Sequence, residues 1–354
     1  MRRWPLLLAL LFLAACSPQS PSSEVEPPLQ PAAAPALGDI CAALIPEQSL
    51  DDPPAVPGVG LPGSPGLRIV AFGDFGEQPN RNTAPQNEVA QAITAYHADQ
   101  PFDFGLTLGD NFYPAGLPSP TDPRWTSQWE RLYSPMGIRV YAILGNHDYK
   151  NARSPGAEMA RSRHSATWCL PRPYFTFTAG AVQFFAVDTT PVEEPGRDPG
   201  GAMAAQRQWL DRALAASRAR WKIVYGHHPV YSNGEHGGRS GTLPRIKSYL
   251  LPLLLKHKVD VYLSGHDHSL EALEPEGGIH FFVSGGAGRH LRDFDRRGCQ
   301  RWGKASYGFT VLETDATGLS LKVSFIEPAE DASYRVVWGP EPVRKGASSD
   351  CRVR

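Results

Sequence analysis

In LRIVAFGDFG, residues 67–76, a run of strand-forming residues stops at a glycine and an aspartate. The same switch recurs in FGLTLGDNFY (104–113), RVYAILGNHD (139–148), WKIVYGHH (221–228) and DVYLSGHDH (260–268). Short runs rich in β-branched and aromatic residues read as buried strands. A glycine directly after each permits a sharp turn and a close backbone approach. Behind those glycines stand Asp74, Asp110, Tyr113, Asn146, His227, His266 and His268. These are oxygen and nitrogen donors of the kind that hold transition metals.

Between the strands lie helical patterns at Gln86–His97, Trp125–Tyr133, Met203–Ser217 and Arg245–His257. A strand pair is expected around Ala179-Gly180, and a closing hairpin joins Tyr307–Glu313 to Leu319–Phe325. Strands alternating with helices predict a layered α/β domain. In open α/β sheets ligands bind at the carboxyl ends of strands, where all five motifs sit. Singly, each motif has a plain reading: Asp74 as a helix cap, Asn146 as a turn residue, His227 as a core histidine. Their repetition with the same donor types favours one shared site. His266 and His268 are two apart, which puts both rings on one face while Asp267 points away. Asp110 and Tyr113 are three apart, so a turn can aim both at one ion.

The motif order resembles that of the metallophosphoesterase superfamily, and within it the purple acid phosphatases, especially the small tartrate-resistant type of animals. GDNFY, GNHD, the DTT at 188–190, HPVYSNGEHG and SGHDHSLEAL carry the resemblance, which runs from about Leu67 to about Phe325. It implies a four-layer α/β/β/α sandwich with two mixed sheets. It also implies two ions: a ferric one held by Asp74, Asp110, Tyr113 and His268, and a second held by Asp110, Asn146, His227 and His266. The second could be ferrous iron, zinc or manganese. Hydrolysis of phosphomonoesters by a metal-bound hydroxide would follow. His147 and His236 would serve the leaving group, with Glu235 as partner to His236. A phosphodiesterase or nucleotidase on the same fold, or a non-catalytic phosphate-binding surface lipoprotein, are the other readings.

Four departures matter. Gly76 stands where most of the superfamily has the His of Asp-x-His, and Tyr113 supplies the replacement donor, as in purple acid phosphatases. His228 could compete with His227. His290 could face the site or be a solvated loop residue. The basic run Arg289–Arg301 could attract anionic substrates or form a charged rim. Asp148 is expected to orient a histidine or cap a turn.

The 354 residues carry Lys+Arg 35 against Asp+Glu 36, a net charge of −1, which gives no electrostatic case for nucleic acid. Residues 1–16 pair Arg2-Arg3 with an apolar Leu6–Leu13 core and end in LAAC, which resembles a lipoprotein signal with Cys16 as the lipid anchor. Ordinary secretory cleavage is the alternative. Ser17 after that Cys favours an outer-membrane address in a bacterial envelope. Residues 17–66 read as a Pro-rich tether and irregular arm, 67–326 as the catalytic domain and 327–354 as a tail. Oligomeric state is not legible. In an oxidising compartment Cys41, Cys169, Cys299 and Cys351 would form two disulfides. The expected pairs are Cys41–Cys351 and Cys169–Cys299, with buried free thiols as the alternative.

Overall fold

The computed structural model describes residues 41, 66–77, 81–198, 201–240, 243–295, 300–347 and 349. The signal and most of the tether and arm, with Cys16, lie outside the described residues, as do Cys299 and Cys351. Among the described residues, fourteen strands form two seven-stranded sheets.

Sheet 1 takes β1 (Arg68–Phe72), β2 (Phe104–Thr107), β3 (Val140–Tyr141), β4 (Trp168–Cys169), β12 (Phe309–Thr314), β13 (Leu321–Pro328) and β14 (Tyr334–Pro342). Their order is β14-β13-β12-β1-β2-β3-β4. Sheet 2 takes β5 (Phe175–Ala179), β6 (Val182–Val187), β7 (Trp221–Gly226), β8 (Val261–Ser264), β9 (Leu270–Leu273), β10 (His280–Ser284) and β11 (Gln300–Lys304). Its order is β11-β9-β10-β8-β7-β6-β5. Both are mixed: β1 to β4 and β6-β7-β8-β10 run parallel, and the flanking strands run antiparallel.

Side-chain alternation explains the layering. In sheet 2, Phe184, Ala186, Ile223, Tyr225, Val261, Leu263 and Phe282 join the core between the sheets. Their neighbours Phe185, Val187, Val224, Tyr262, Phe281 and Val283 join a second core. The helices α2 (Ala202–Ala216) and α3 (Pro244–Lys256) close that outer face with Trp209, Leu210, Leu250 and Leu254. This is the period of two that a strand buried on both faces requires. Across the inner layer Phe104 meets Phe177 and Phe184 at 5.7 and 5.5 Å. On the far side of sheet 1, α1 (Ala84–Asp99) packs against β13 and β14. The observed order is therefore helix, sheet, sheet, helix, as expected.

The disulfide expectation needs revision. Cys41 pairs with Cys169, 128 residues away, with Cα atoms 5.8 Å apart. This overturns the expected Cys41–Cys351 and Cys169–Cys299 pairs. Cys169 ends the edge strand β4, so its thiol is placed to anchor the N-terminal arm. Within residues 327–354, read as a tail, β14 extends sheet 1 by pairing with β13.

Candidate metal centre

β1, β2 and β3 are parallel neighbours in sheet 1, and β7 and β8 are parallel neighbours in sheet 2. Their carboxyl ends meet. The Gly73 N–H donates to the Ser284 carbonyl across the sheets at 3.0 Å, and the His266 N–H donates to Asp74 Oδ2 at 2.8 Å. Chain geometry is strained at this junction. Asp74, Asp110 and His266 have φ of 61°, 49° and 70°, a left-handed backbone that costs a non-glycine residue about 1–2 kcal/mol. Gly265 is required here, because a Cβ on it would collide with the Asp74 carboxylate. Gly76, at φ 33°, admits no side chain at all: a Cβ would overlap the carbonyl oxygen of Asn111.

Seven expected donors are brought together. Tyr113 Oη lies 3.0 Å from Asp74 Oδ1, 2.9 Å from Asp110 Oδ2 and 3.3 Å from His268 Nε2. On the other side of Asp110, Oδ1 is 3.4 Å from His227 Nε2, which is 3.1 Å from Asn146 Oδ1 and 3.2 Å from His266 Nδ1. Asp110 thus faces both groups with one oxygen each. His227 Nδ1 donates to the Leu108 carbonyl at 2.8 Å, and His268 Nδ1 to the His290 carbonyl at 2.6 Å. Those bonds leave each Nε2 as a lone pair pointing inward.

This donor set fits cations. A single phenolic proton faces two carboxylate oxygens and an imidazole nitrogen, and the His227 Nε2 lone pair faces the Asn146 carbonyl oxygen. Burial, then the Asp110 charge, pushes Asp74 well up. Burial and both carboxylates push Tyr113 up. Burial also works against the Asp110 carboxylate, but His227 and His147 outweigh it and hold the group below its ordinary value. Metal-capable atoms of Asp74, Asp110 and His227 lie within 4.8 Å of one another, as do those of His227, His228 and His266. The two clusters adjoin, and Asp110, with one oxygen toward each donor group, is placed to serve two ions.

The remaining expected residues ring this core. The His147 ring lies 4.4 Å from the Tyr113 ring; its Nδ1 donates to the Pro114 carbonyl at 2.7 Å, and its Nε2 sits 4.0 Å from Asp110 Oδ2. The His236 ring stacks on His266 at 4.0 Å, and its backbone N–H donates to Asp267 Oδ1 at 3.0 Å. Glu235 points outward, its carboxylate 3.6 Å from Arg292 with 59% of the side chain exposed. His228 is buried beside His266, its Nδ1 2.9 Å from the Thr189 hydroxyl; His227 is the one that reaches Asn146. The His290 side chain is exposed. Asp148 caps turns: it accepts the N–H groups of Gly145, Asn111 and Phe112 at 2.9–3.2 Å.

Three cations were not assigned to the centre from the sequence. Lys150 Nζ donates to His147 Nε2 at 2.8 Å. An Arg292 guanidinium nitrogen contacts His236 Nε2. Arg289 lies 4.5 Å over the Tyr113 ring and pairs with Glu77. The basic run 289–301 is therefore part of the site wall at its first residues. For Lys150 the only available signal was its place three residues after His147.

A family model described as calcineurin-like phosphoesterase matches residues 67–270. The chain belongs to the calcineurin-like phosphoesterase family. Tartrate-resistant acid phosphatase type 5 of Sus scrofa is 36% identical over 256 residues, covering 65% of this chain and 74% of that protein. This places the chain with the purple-acid-phosphatase type of calcineurin-like phosphoesterase. Two solved structures share the fold. GAP50, described as the anchor in the inner membrane complex of Plasmodium, aligns with a TM-score of 0.61 at 20% identity over 80% of this chain and 90% of that one. A purple acid phosphatase from yellow lupin (Lupinus luteus) seeds aligns with a TM-score of 0.58 at 19% identity over 77% and 53%.

Proposed function

We propose that this calcineurin-like phosphoesterase hydrolyses phosphomonoesters in a cell envelope. The observation that carries the reading is the convergence of seven donors from five strand ends on one buried spot. Asp74, Asp110, Tyr113 and His268 would hold the first ion, and Asp110, Asn146, His227 and His266 the second. A phenolate is a hard oxygen donor, which favours ferric iron first; the mixed set beside it suits ferrous iron, zinc or manganese. Bound ions would supply Lewis acidity to the phosphoryl group and acidify a coordinated water.

The chain's own work is orientation and charge. Leu108 and His290 carbonyls fix two imidazole tautomers, and Asp148 fixes the turns that carry Asp110 and Asn146. His147 and His236 flank the centre and would stand beside the departing alkoxide, with Glu235 on the same loop as His236. Lys150 and Arg292, each on one of those imidazoles, add positive charge where negative charge would develop.

Export is supported by the residue 1–16 pattern and by the Cys41–Cys169 disulfide, which suits an oxidising compartment. Cys16 would carry the lipid anchor to a bacterial outer membrane. Labelling with a lipid precursor, lost in Cys16→Ala, tests that point.

For the reaction, the protein is assayed with p-nitrophenyl phosphate and with its bis ester, before and after chelation. Release from the monoester, lost on chelation and restored by metal, is expected. A protein that binds no metal, or cleaves only the bis ester, would overturn the reading.

A further inference from the structure

Beside the centre, on the side of Tyr113 and His268, lies a cavity of about 320 Å³. Its walls include Glu77, Arg81, Pro85, Arg289, His290 and Tyr307. Two guanidiniums and an imidazole face one carboxylate. That carboxylate, Glu77, pairs with an Nη of Arg289, and the Arg289 Nε has no hydrogen-bond partner among the described residues. A guanidinium with donors to spare is the group best shaped to take phosphate oxygens in pairs. Pro85 lies in the first turn of α1, so the positive end of that helix adds to the same field.

Arg289 lines the cavity and also borders the centre. The Arg289 backbone N–H donates to the Asp74 carbonyl at 2.9 Å while its guanidinium covers the Tyr113 ring at 4.5 Å. The next residue, His290, gives its carbonyl to His268 Nδ1. A substrate phosphoryl group at the centre would therefore have a second, cationic compartment next to it. The volume is at the lower end for small-molecule sites, enough for a small anionic group and too small for a folded partner.

We infer that this cavity is a subsite for a second phosphoryl group carried by the substrate, so that bisphosphates are preferred over monophosphates. The inference rests on the phosphatase reading for the reaction but on separate residues for the preference. The cleaved bond is unchanged: water adds to the phosphorus at the centre, the P–O ester bond breaks, and the alcohol leaves with a proton. The second phosphoryl group stays intact in the cavity.

The test uses the metal-loaded full chain and the exposed residue Arg81. Rates for fructose 1,6-bisphosphate and fructose 6-phosphate give a preference ratio of kcat/KM. Calorimetry with ethane-1,2-bisphosphonate and ethylphosphonate gives the same ratio for binding without turnover. In the wild type both ratios should be about tenfold or more, and Arg81→Glu should cut each about tenfold. Ratios near one in the wild type, or equal losses on both ligands in the variant, would overturn the subsite. A wild type that cleaves neither ester yet shows an Arg81-dependent bisphosphonate preference would overturn the phosphatase reading and support the subsite.

Discussion

Around Asp110 the centre divides into an oxygen-rich half, Asp74 and Tyr113 with His268, and an imidazole-rich half, His227 and His266 with Asn146, His228 and His236. The first is closed: Asp74 and Tyr113 are fully buried, and Arg289 covers the phenol ring. The second borders the loop that carries Glu235 and His236, where His266 and His236 are only half-buried. Hard donors in a closed pocket suit a trivalent ion, and mixed donors near an opening suit a more exchangeable divalent one. The difference teaches that the two positions need not share an ion or an affinity.

The largest test removes what the halves share. Asp110→Asn should cost both ions and lower turnover about 10³-fold or more, read by elemental analysis and phosphate release. Retained turnover would break the division at its hinge. Next come the single halves. Asn146→Ala should leave one ion per chain, and Tyr113→Phe should abolish the visible absorption band of a tyrosinate–iron pair, each with about a 10²-fold loss of rate. Loss of both ions in Asn146→Ala would show that the halves load together.

A smaller effect separates the halves by acidity. In metal-free protein, burial and then the Arg292 charge push His268 down to about 3, and burial with neighbouring imidazoles pushes His266 well down. Unfolded histidines titrate near 6.5, so below that pH the unfolded chain binds protons the folded chain refuses. Stability from these rings is present above about pH 6.5 and is lost as pH falls toward 3. Asp74 has the opposite sign. Its carboxyl is raised by burial, so its contribution is present at low pH and is lost as pH rises through its folded value. Urea unfolding of metal-free protein should lose less stability on acidification in His268→Asn, and less on alkalinisation in Asp74→Asn. Identical profiles in all three would refute the contrast.

The smallest effect on turnover lies outside the donor set. Cys41→Ser with Cys169→Ser should leave the rate intact while lowering stability by about 4 kcal/mol, because the bond closes a 128-residue separation. A change in metal content would tie the arm to the centre.

Much of this was readable because each donor follows a glycine at the end of a short apolar run. β1 and β6 fall on their expected residues, Arg68–Phe72 and Val182–Val187. β14 was not readable: YRVVWGPEP is an edge strand with most positions exposed or half-buried, so it carries no alternation. β11 is similarly weak, and β4 spans two residues. Cysteine spacing does not encode pairing; the position of Cys169 on an edge strand does. Arg289, Arg292 and Lys150 reach the centre on long side chains from loops, and such contacts are set by tertiary approach alone. Asn111 shows the same limit. Its amide donates to Glu158 at 3.1 Å, behind the turns that carry the donors, and burial pushes that glutamate up to about 7.

The carbonyl of Asn111 also limits how this protein could change. It fills the space that a side chain at position 76 would occupy, and it belongs to the residue bonded directly to Asp110. Making room for an imidazole there would drag the shared carboxylate out of place. Gly76→His should therefore fail to rescue Tyr113→Phe, and one codon change at position 76 could not supply an imidazole donor on this backbone.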